Sequence, residues 1–333
     1  MQIGVLGAGT WGIALARMLY NQGKKVVVWS ALEKEVETLS KERVHPNLVG
    51  MKIPKGIDFT TDIKKVVSGK KILLFAVPSV YLRATVNKAS KYITDSQIIV
   101  DVAKGIEPLT TLTMSQVIED ELAKCGKNGI RVVALSGPTH AEEVALDMPT
   151  TIVSACKDIK TAKIIQEIFA NENFRVYTNT DVLGVELSGA LKNVIALASG
   201  MVTGLGYGDN ARAGVITRGI KEIAQLGKAM GADERTFSGL AGVGDLIVTA
   251  TSVHSRNNRA GMLMGKGVSC EEAIKLVGMV VEGVNAVPAA KTLAEKYGVE
   301  LPIVFAVADI IAGKLDVKDA VKNLMTRPMI EEF

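Results

Sequence analysis

Short runs rich in β-branched and aliphatic residues recur through the first part of the chain and alternate with stretches of helical spacing. The runs are Ile3–Leu6, Lys25–Trp29, Ile72–Val77, Ile98–Ala103, Val132–Leu135, Thr151–Val153 and Arg175–Tyr177. Apolar runs of this length form strands, and their alternation with helices predicts a mostly parallel sheet. Beyond Asp181 the strand signal fades. Val182–Leu205, Gly214–Met230, Cys270–Val277, Val284–Lys296 and Val317–Leu324 repeat their apolar residues at helical spacing instead. The expected organisation is therefore an α/β domain over 1–180 followed by an all-α domain over 181–333, with no Pro- or Ser-rich linker between them.

Composition narrows the class. A chain of 333 residues suits about two domains at roughly 100 to 200 residues each. Hydrophobic residues at 48% and charged residues at 22% are ordinary for a globular protein, which argues against disorder. The net charge of +4 is small and dispersed, so neither a nucleic acid nor a membrane surface is expected as a partner. Cys125, Cys156 and Cys270 form no CxxC pair, and His45, His140 and His254 lack metal-ligand spacing, so no metal site is expected and a reducing compartment fits. Met1 leads straight into a strand without a basic leader, and the long apolar stretch from Leu187 is interrupted by Lys192; the expected location is the cytoplasm.

Gly7, Gly9 and Gly12 form GxGxxG directly after the first strand, and Ile13–Leu19 continues as a helix that Gly23 can cap. A bare GxGxxG says little. Within a complete βαβ unit it marks a Rossmann-type dinucleotide site, because the turn must be sharp, the pyrophosphate must approach the backbone and the helix start offers unpaired N–H groups. The second strand ends at Ser30, where an acidic residue usually binds the adenosine ribose. A neutral residue there, with Lys34 nearby, points towards NADP; Glu33 keeps NAD open.

Ligands of open α/β sheets sit outside the carboxyl ends of the strands. Lys104 and Gly105 follow one such end, and Gly137, Pro138 and Thr139 follow another. Lys104 is either a substrate-side cation or an ordinary surface lysine. In Glu186–Gly200 one lysine, Lys192, lies mid-helix among apolar neighbours, with Ser188, Gly189, Ile195 and Ala196 one turn away. None can neutralise it, so it either snorkels to water or meets a partner from elsewhere. Asp245, alone in the glycine-rich Gly239–Thr249, is a candidate partner, or a helix-capping or turn aspartate. Ser255 can cap a helix opening with Arg256, Asn257, Asn258 and Arg259, which is an oxyanion site in outline or a solvated basic turn.

With these residues in view, the whole chain resembles the bacterial glycerol-3-phosphate dehydrogenases. GAGTWG at 7–12, AKGIE at 103–107, SGPTHAEEV at 136–144, ELSGALKNVIA at 186–196, TRGIKE at 217–222, GLAGVGDLIVT at 239–249, SRNNRAG at 255–261 and VEGV at 281–284 occur in that family's order. The resemblance implies that Lys192 is the catalytic acid and base beside Asp245. It implies Lys104, Gly137, Thr139, Ser255, Arg256 and Asn257 as substrate contacts, with Asn193 and Thr249 secondary. For NAD or NADP it implies Thr10, Trp11, Lys104, Ala141, Arg256, Val280 and Glu282 besides the glycines; Ser30 is a candidate from its place at the end of the second strand. Many relatives carry a basic residue where this chain has Ser30 and Ala31. The implied reaction interconverts sn-glycerol 3-phosphate and dihydroxyacetone phosphate for phospholipid synthesis, in a homodimer acting on a small phosphorylated molecule. A β-hydroxyacid dehydrogenase would instead turn over carboxylate substrates, and a nicotinamide sensor would bind without turnover.

Overall fold

The computed structural model describes residues 1–332. They group into two compact units: Met1–Glu107 with Leu112–Glu186, and Pro108–Thr111 with Leu187 onward.

The first unit opens with β1 (Gln2–Leu6), α1 (Thr10–Asn21), β2 (Lys25–Trp29), α2 (Glu33–Glu42), β3 (Asp58–Thr60) and α3 (Ile63–Val67). It continues with β4 (Ile72–Phe75), α4 (Ser79–Ser90), β5 (Ile98–Asp101), α5 (Met114–Lys124) and β6 (Arg131–Ser136). The last members are α6 (Ala141–Ala145), β7 (Thr150–Ala155), α7 (Ile159–Phe169) and β8 (Phe174–Asn179). All eight strands join one sheet in the order β3-β2-β1-β4-β5-β6-β7-β8. β4 and β5 are buried along their whole length. Helices cover both faces of a parallel sheet, which is why these strands read as unbroken apolar runs. One core cluster on Ile3, Val5, Leu74 and Val100 and another on Leu6, Phe75, Leu73 and Ile99 fill the two faces.

The mostly parallel α/β expectation holds, with two local differences. β7 runs antiparallel to β6, with Leu135 opposite Ser154. The link between them turns back through the short α6 and Asp147, whose φ is 57°, and makes no full helical crossover. β3 was not expected: three residues at a sheet edge are too few to show a period. β4 and β5 also stop at Phe75 and Asp101, ahead of the expected Val77 and Ala103.

The second unit is helical. α8 (Val182–Gly204) enters it at Leu187, followed by α9 (Asp209–Ala229), α10 (Glu234–Phe237), a π-turn at Leu240–Gly244, α11 (Asp245–Thr251) and α12 (Arg256–Gly265). α13 (Cys270–Val277), α14 (Glu282–Tyr297), α15 (Pro302–Ile311) and α16 (Val317–Met325) complete it. α8 is long and apolar enough to cross a bilayer, yet 94% of its most apolar stretch is buried inside the protein. Glycines let it approach α12 at backbone distance. A Cβ on Gly200 would lie 2.1 Å from the Asn258 carbonyl oxygen, and one on Gly261 would lie 2.1 Å from that of Leu197. No side chain fits such a seam, so the two helices are locked in one register.

Glu222 on α9 stands buried under the start of α15, where its carboxylate accepts the N–H groups of Ile303 (2.8 Å) and Val304 (3.3 Å). Burial pushes its pKa up from 4.5 to about 7, against the pull of those two N–H groups and of Arg218 and Arg327. The folded chain therefore holds a proton that the unfolded chain has released between those two values. Stability should fall as pH rises from 4.5 to about 7, by roughly 3 kcal/mol for this group. Glu222→Gln should flatten that part of a profile of urea midpoint against pH; an unchanged slope would assign the titration elsewhere.

Candidate active site

The glycine loop has the form a dinucleotide needs. Gly7 has φ 124°, and a Cβ there would lie 2.6 Å from the Ala76 carbonyl oxygen. A Cβ on Gly12 would lie 2.2 Å from the carbonyl oxygen of Gly7, so this glycine keeps α1 close to its strand. Gly9 differs: nothing stands within 4 Å of the place its Cβ would take. The cradle is open where a pyrophosphate must approach and closed where the chain must turn. α1 starts at Thr10 with no acidic residue in its first turn, Trp11 packs on the core, and the backbone leaves early N–H groups for an anion. These residues fit NAD or NADP.

Beside the loop, the Gly7 N–H donates to the Trp29 carbonyl at 2.9 Å, joining it to the end of β2. Ser30 follows, and its hydroxyl donates to Glu35. Glu33, the acidic residue expected near the ribose, is exposed on the first turn of α2. Glu35, half-buried, lies on the same turn.

The expected neighbours Lys104, Gly137 and Thr139 do come together. Lys104 Nζ donates to the Gly137 carbonyl at 3.1 Å, and the Thr139 hydroxyl donates to the same oxygen at 3.1 Å. Arg83 steadies the Lys104 loop by gripping both oxygens of Glu107 at 2.7 Å. Just before that loop lies buried Asp101, held well above the usual carboxylate range by burial and then by Glu186. Glu186 is itself raised by burial and accepts from the backbone and hydroxyl of Ser115 at 2.7 and 2.6 Å. Ala141 opens α6, following His140.

In the second unit Lys192 does not snorkel. It is 5% exposed, with Nζ donating to Asp245 Oδ1 at 2.5 Å and to the Thr249 hydroxyl at 2.6 Å. Thr249 in turn donates to the Asp245 carbonyl at 2.7 Å. The π-turn at Leu240–Gly244 delivers Asp245, and Gly242 is required there because a Cβ would meet the Phe237 carbonyl oxygen at 2.0 Å. Asp245 thus opens α11, fully buried, with its side chain turned to the lysine.

One residue along, Asn193 accepts from Asn257 Nδ2 at 2.9 Å, and the Gly283 N–H donates to Asn257 Oδ1 at 2.9 Å. This chain of amides ties α8, α12 and the start of α14, which opens at Glu282 with Val280 two residues before it. Ser255 caps α12 as expected, accepting the Asn258 N–H at 3.2 Å. Arg256 is the first residue of that helix, half-buried, with no hydrogen-bond or ion-pair partner among the described residues. A partly desolvated guanidinium with free N–H groups at a helix N-terminus suits a phosphate.

Comparison with known proteins names the chemistry. Residues 2–162 match the family described as NAD-dependent glycerol-3-phosphate dehydrogenase N-terminus, and residues 181–322 match the corresponding C-terminus. A glycerol-3-phosphate dehydrogenase (NAD(P)+) of Lactobacillus delbrueckii subsp. bulgaricus is 62% identical over 100% of this chain and 99% of its own. The Bacillus subtilis protein of that name is 47% identical over 100% and 96%. Among solved structures, glycerol-3-phosphate dehydrogenase from Coxiella burnetii aligns with TM-score 0.93 at 35% identity, covering 98% of this chain and 99% of that one.

Proposed function

Because the chain belongs to the NAD-dependent glycerol-3-phosphate dehydrogenase family, we propose that Lys192 exchanges the proton of its reaction, with Asp245 holding it and Arg256 gripping the substrate phosphate. The enzyme is NAD(P)-dependent and interconverts sn-glycerol 3-phosphate and dihydroxyacetone phosphate. The observation that supports the assignment is the buried contact of Lys192, from the apolar helix α8, with Asp245 and Thr249 of α11.

Bound nicotinamide supplies or accepts the hydride at C2. In reduction the carbonyl oxygen gains negative charge, and Lys192, as an ammonium, gives it a proton. In oxidation the neutral amine takes the hydroxyl proton back. Asp245 stabilises the ammonium where burial alone would disfavour it, and Thr249 fixes the direction of Nζ. Lys104, Gly137, Thr139, Ser255 and Asn257 complete the proposed substrate contacts. Gly7, Gly9, Thr10, Trp11, Gly12, Ser30, Ala141, Val280 and Glu282 complete those of the nucleotide. In the same reading the enzyme works in the cytoplasm as a homodimer and supplies glycerol 3-phosphate for phospholipid synthesis.

The test is steady-state kinetics of Arg256→Ala with dihydroxyacetone phosphate. Loss of a charged, two-point phosphate contact should raise the substrate KM by about 10- to 100-fold. An unchanged KM would mean that the phosphate is held elsewhere. A parallel rise in the nucleotide KM is expected if Arg256 also touches the cofactor.

A further inference from the structure

The end of β2 decides which nucleotide can be bound, because the adenosine ribose lies one step beyond the pyrophosphate held by the glycine loop. The bond from the Gly7 N–H to the Trp29 carbonyl fixes that strand end against the loop. Ser30 is the next residue, 4% exposed, with its N–H given to the Thr60 carbonyl at 3.2 Å. Its hydroxyl oxygen accepts the Leu32 N–H at 3.1 Å. That bond orients the hydroxyl so that its proton goes to Glu35 Oε2. Glu35 sits in the first turn of α2, where a helix N-terminus favours an anion. It is half-buried, and its other carboxylate oxygen accepts no hydrogen bond among the described residues.

We propose that Glu35, held by Ser30, is the residue that selects NAD(H) over NADP(H). Its free oxygen accepts from the ribose hydroxyls, and its fixed charge repels a 2′-phosphate. This reverses the leaning towards NADP drawn from the neutral Ser30: the strand end lacks a carboxylate in sequence and recovers one from the following helix. The opposing charge is Lys34, which is exposed and whose side chain makes no hydrogen bond among the described residues; its backbone carbonyl accepts from Thr38. A solvated lysine on a flexible stem offsets less than an oriented carboxylate does. Ala31, also exposed, brings no charge.

The experiment is calorimetric titration of the full chain with NADH and with NADPH, comparing wild type, Glu35→Gln, Ser30→Ala and Lys34→Ala. Thermal melts serve as the folding control. Wild type should bind NADH at least about tenfold more tightly than NADPH, as a like-charge contact of this kind implies. Glu35→Gln should bring the two constants to within about threefold, chiefly by tightening NADPH. Ser30→Ala should move the ratio the same way by a smaller factor, since the carboxylate stays but loses its tether. Lys34→Ala should leave the ratio within about twofold. Damage to the glycine loop would weaken both nucleotides together, so the ratio reads Glu35 independently of the active-site assignment. The proposal is overturned if wild type binds NADPH as tightly as NADH, if Glu35→Gln shifts both constants equally, or if Lys34→Ala is the variant that changes the ratio.

Discussion

Lys192→Ala is expected to lower the maximal rate by about 10²- to 10⁴-fold, the range for removing a general acid or base, while the dissociation constant of the nucleotide changes little. Proton exchange with the substrate oxygen would belong to the chemical step and not to nucleotide binding, so its loss should appear in kcat. A purely structural lysine predicts otherwise: reduced yield of folded protein, with normal turnover per folded molecule. The measurement is therefore kcat normalised to folded protein by circular dichroism, alongside nucleotide titration. Turnover close to wild type would remove Lys192 from the chemistry.

The site divides into parts that a sequence can carry and parts that it cannot. Gly7, Gly9 and Gly12 were legible because backbone geometry forces glycine at a fixed spacing after a strand, and the open space at Gly9 matches the role assigned to it. Lys192 stood out because an apolar helix cannot leave a charge alone, and the same reasoning brought Asp245 to it across 53 residues of sequence. Glu35 did not stand out, because its contact with Ser30 joins two residues whose spacing alone suggests none. The Asp101–Glu186 pair was invisible for a similar reason. Each carboxylate looks unremarkable in its own segment, and only folding buries the two near one another. In the fold, strands of four or more residues announced themselves, whereas β3 owes its existence to pairing with β2, from Val27–Asp58 to Trp29–Thr60. The reversal of β7 was likewise beyond reach, because strand direction is set by the path of the link before it. In the helical unit the π-turn was missed because its period belongs to neither helix nor strand, yet that turn is what points Asp245 at the lysine.

Asp245→Leu is expected to reduce the stability of the chain by about 3 to 5 kcal/mol, the usual consequence of leaving one member of a buried ion pair without its counter-charge. Thr249 would still accept from Nζ, but a hydroxyl cannot offset a full charge in a site where Lys192 is 5% exposed. Turnover should fall as well, because the proposed proton donor has lost the carboxylate that holds it. Stability and catalysis are separated by adding Lys192→Met, which removes the orphaned charge and restores apolar volume. The double variant should recover most of the lost stability, since buried pairs replaced by apolar side chains are often neutral or better. Its turnover should stay as low as that of Lys192→Ala. Urea unfolding and kcat measured on all four proteins would read the two quantities side by side. If the double variant were no more stable than Asp245→Leu alone, the destabilisation would come from lost packing around α11; if it regained turnover, the proton would come from another group.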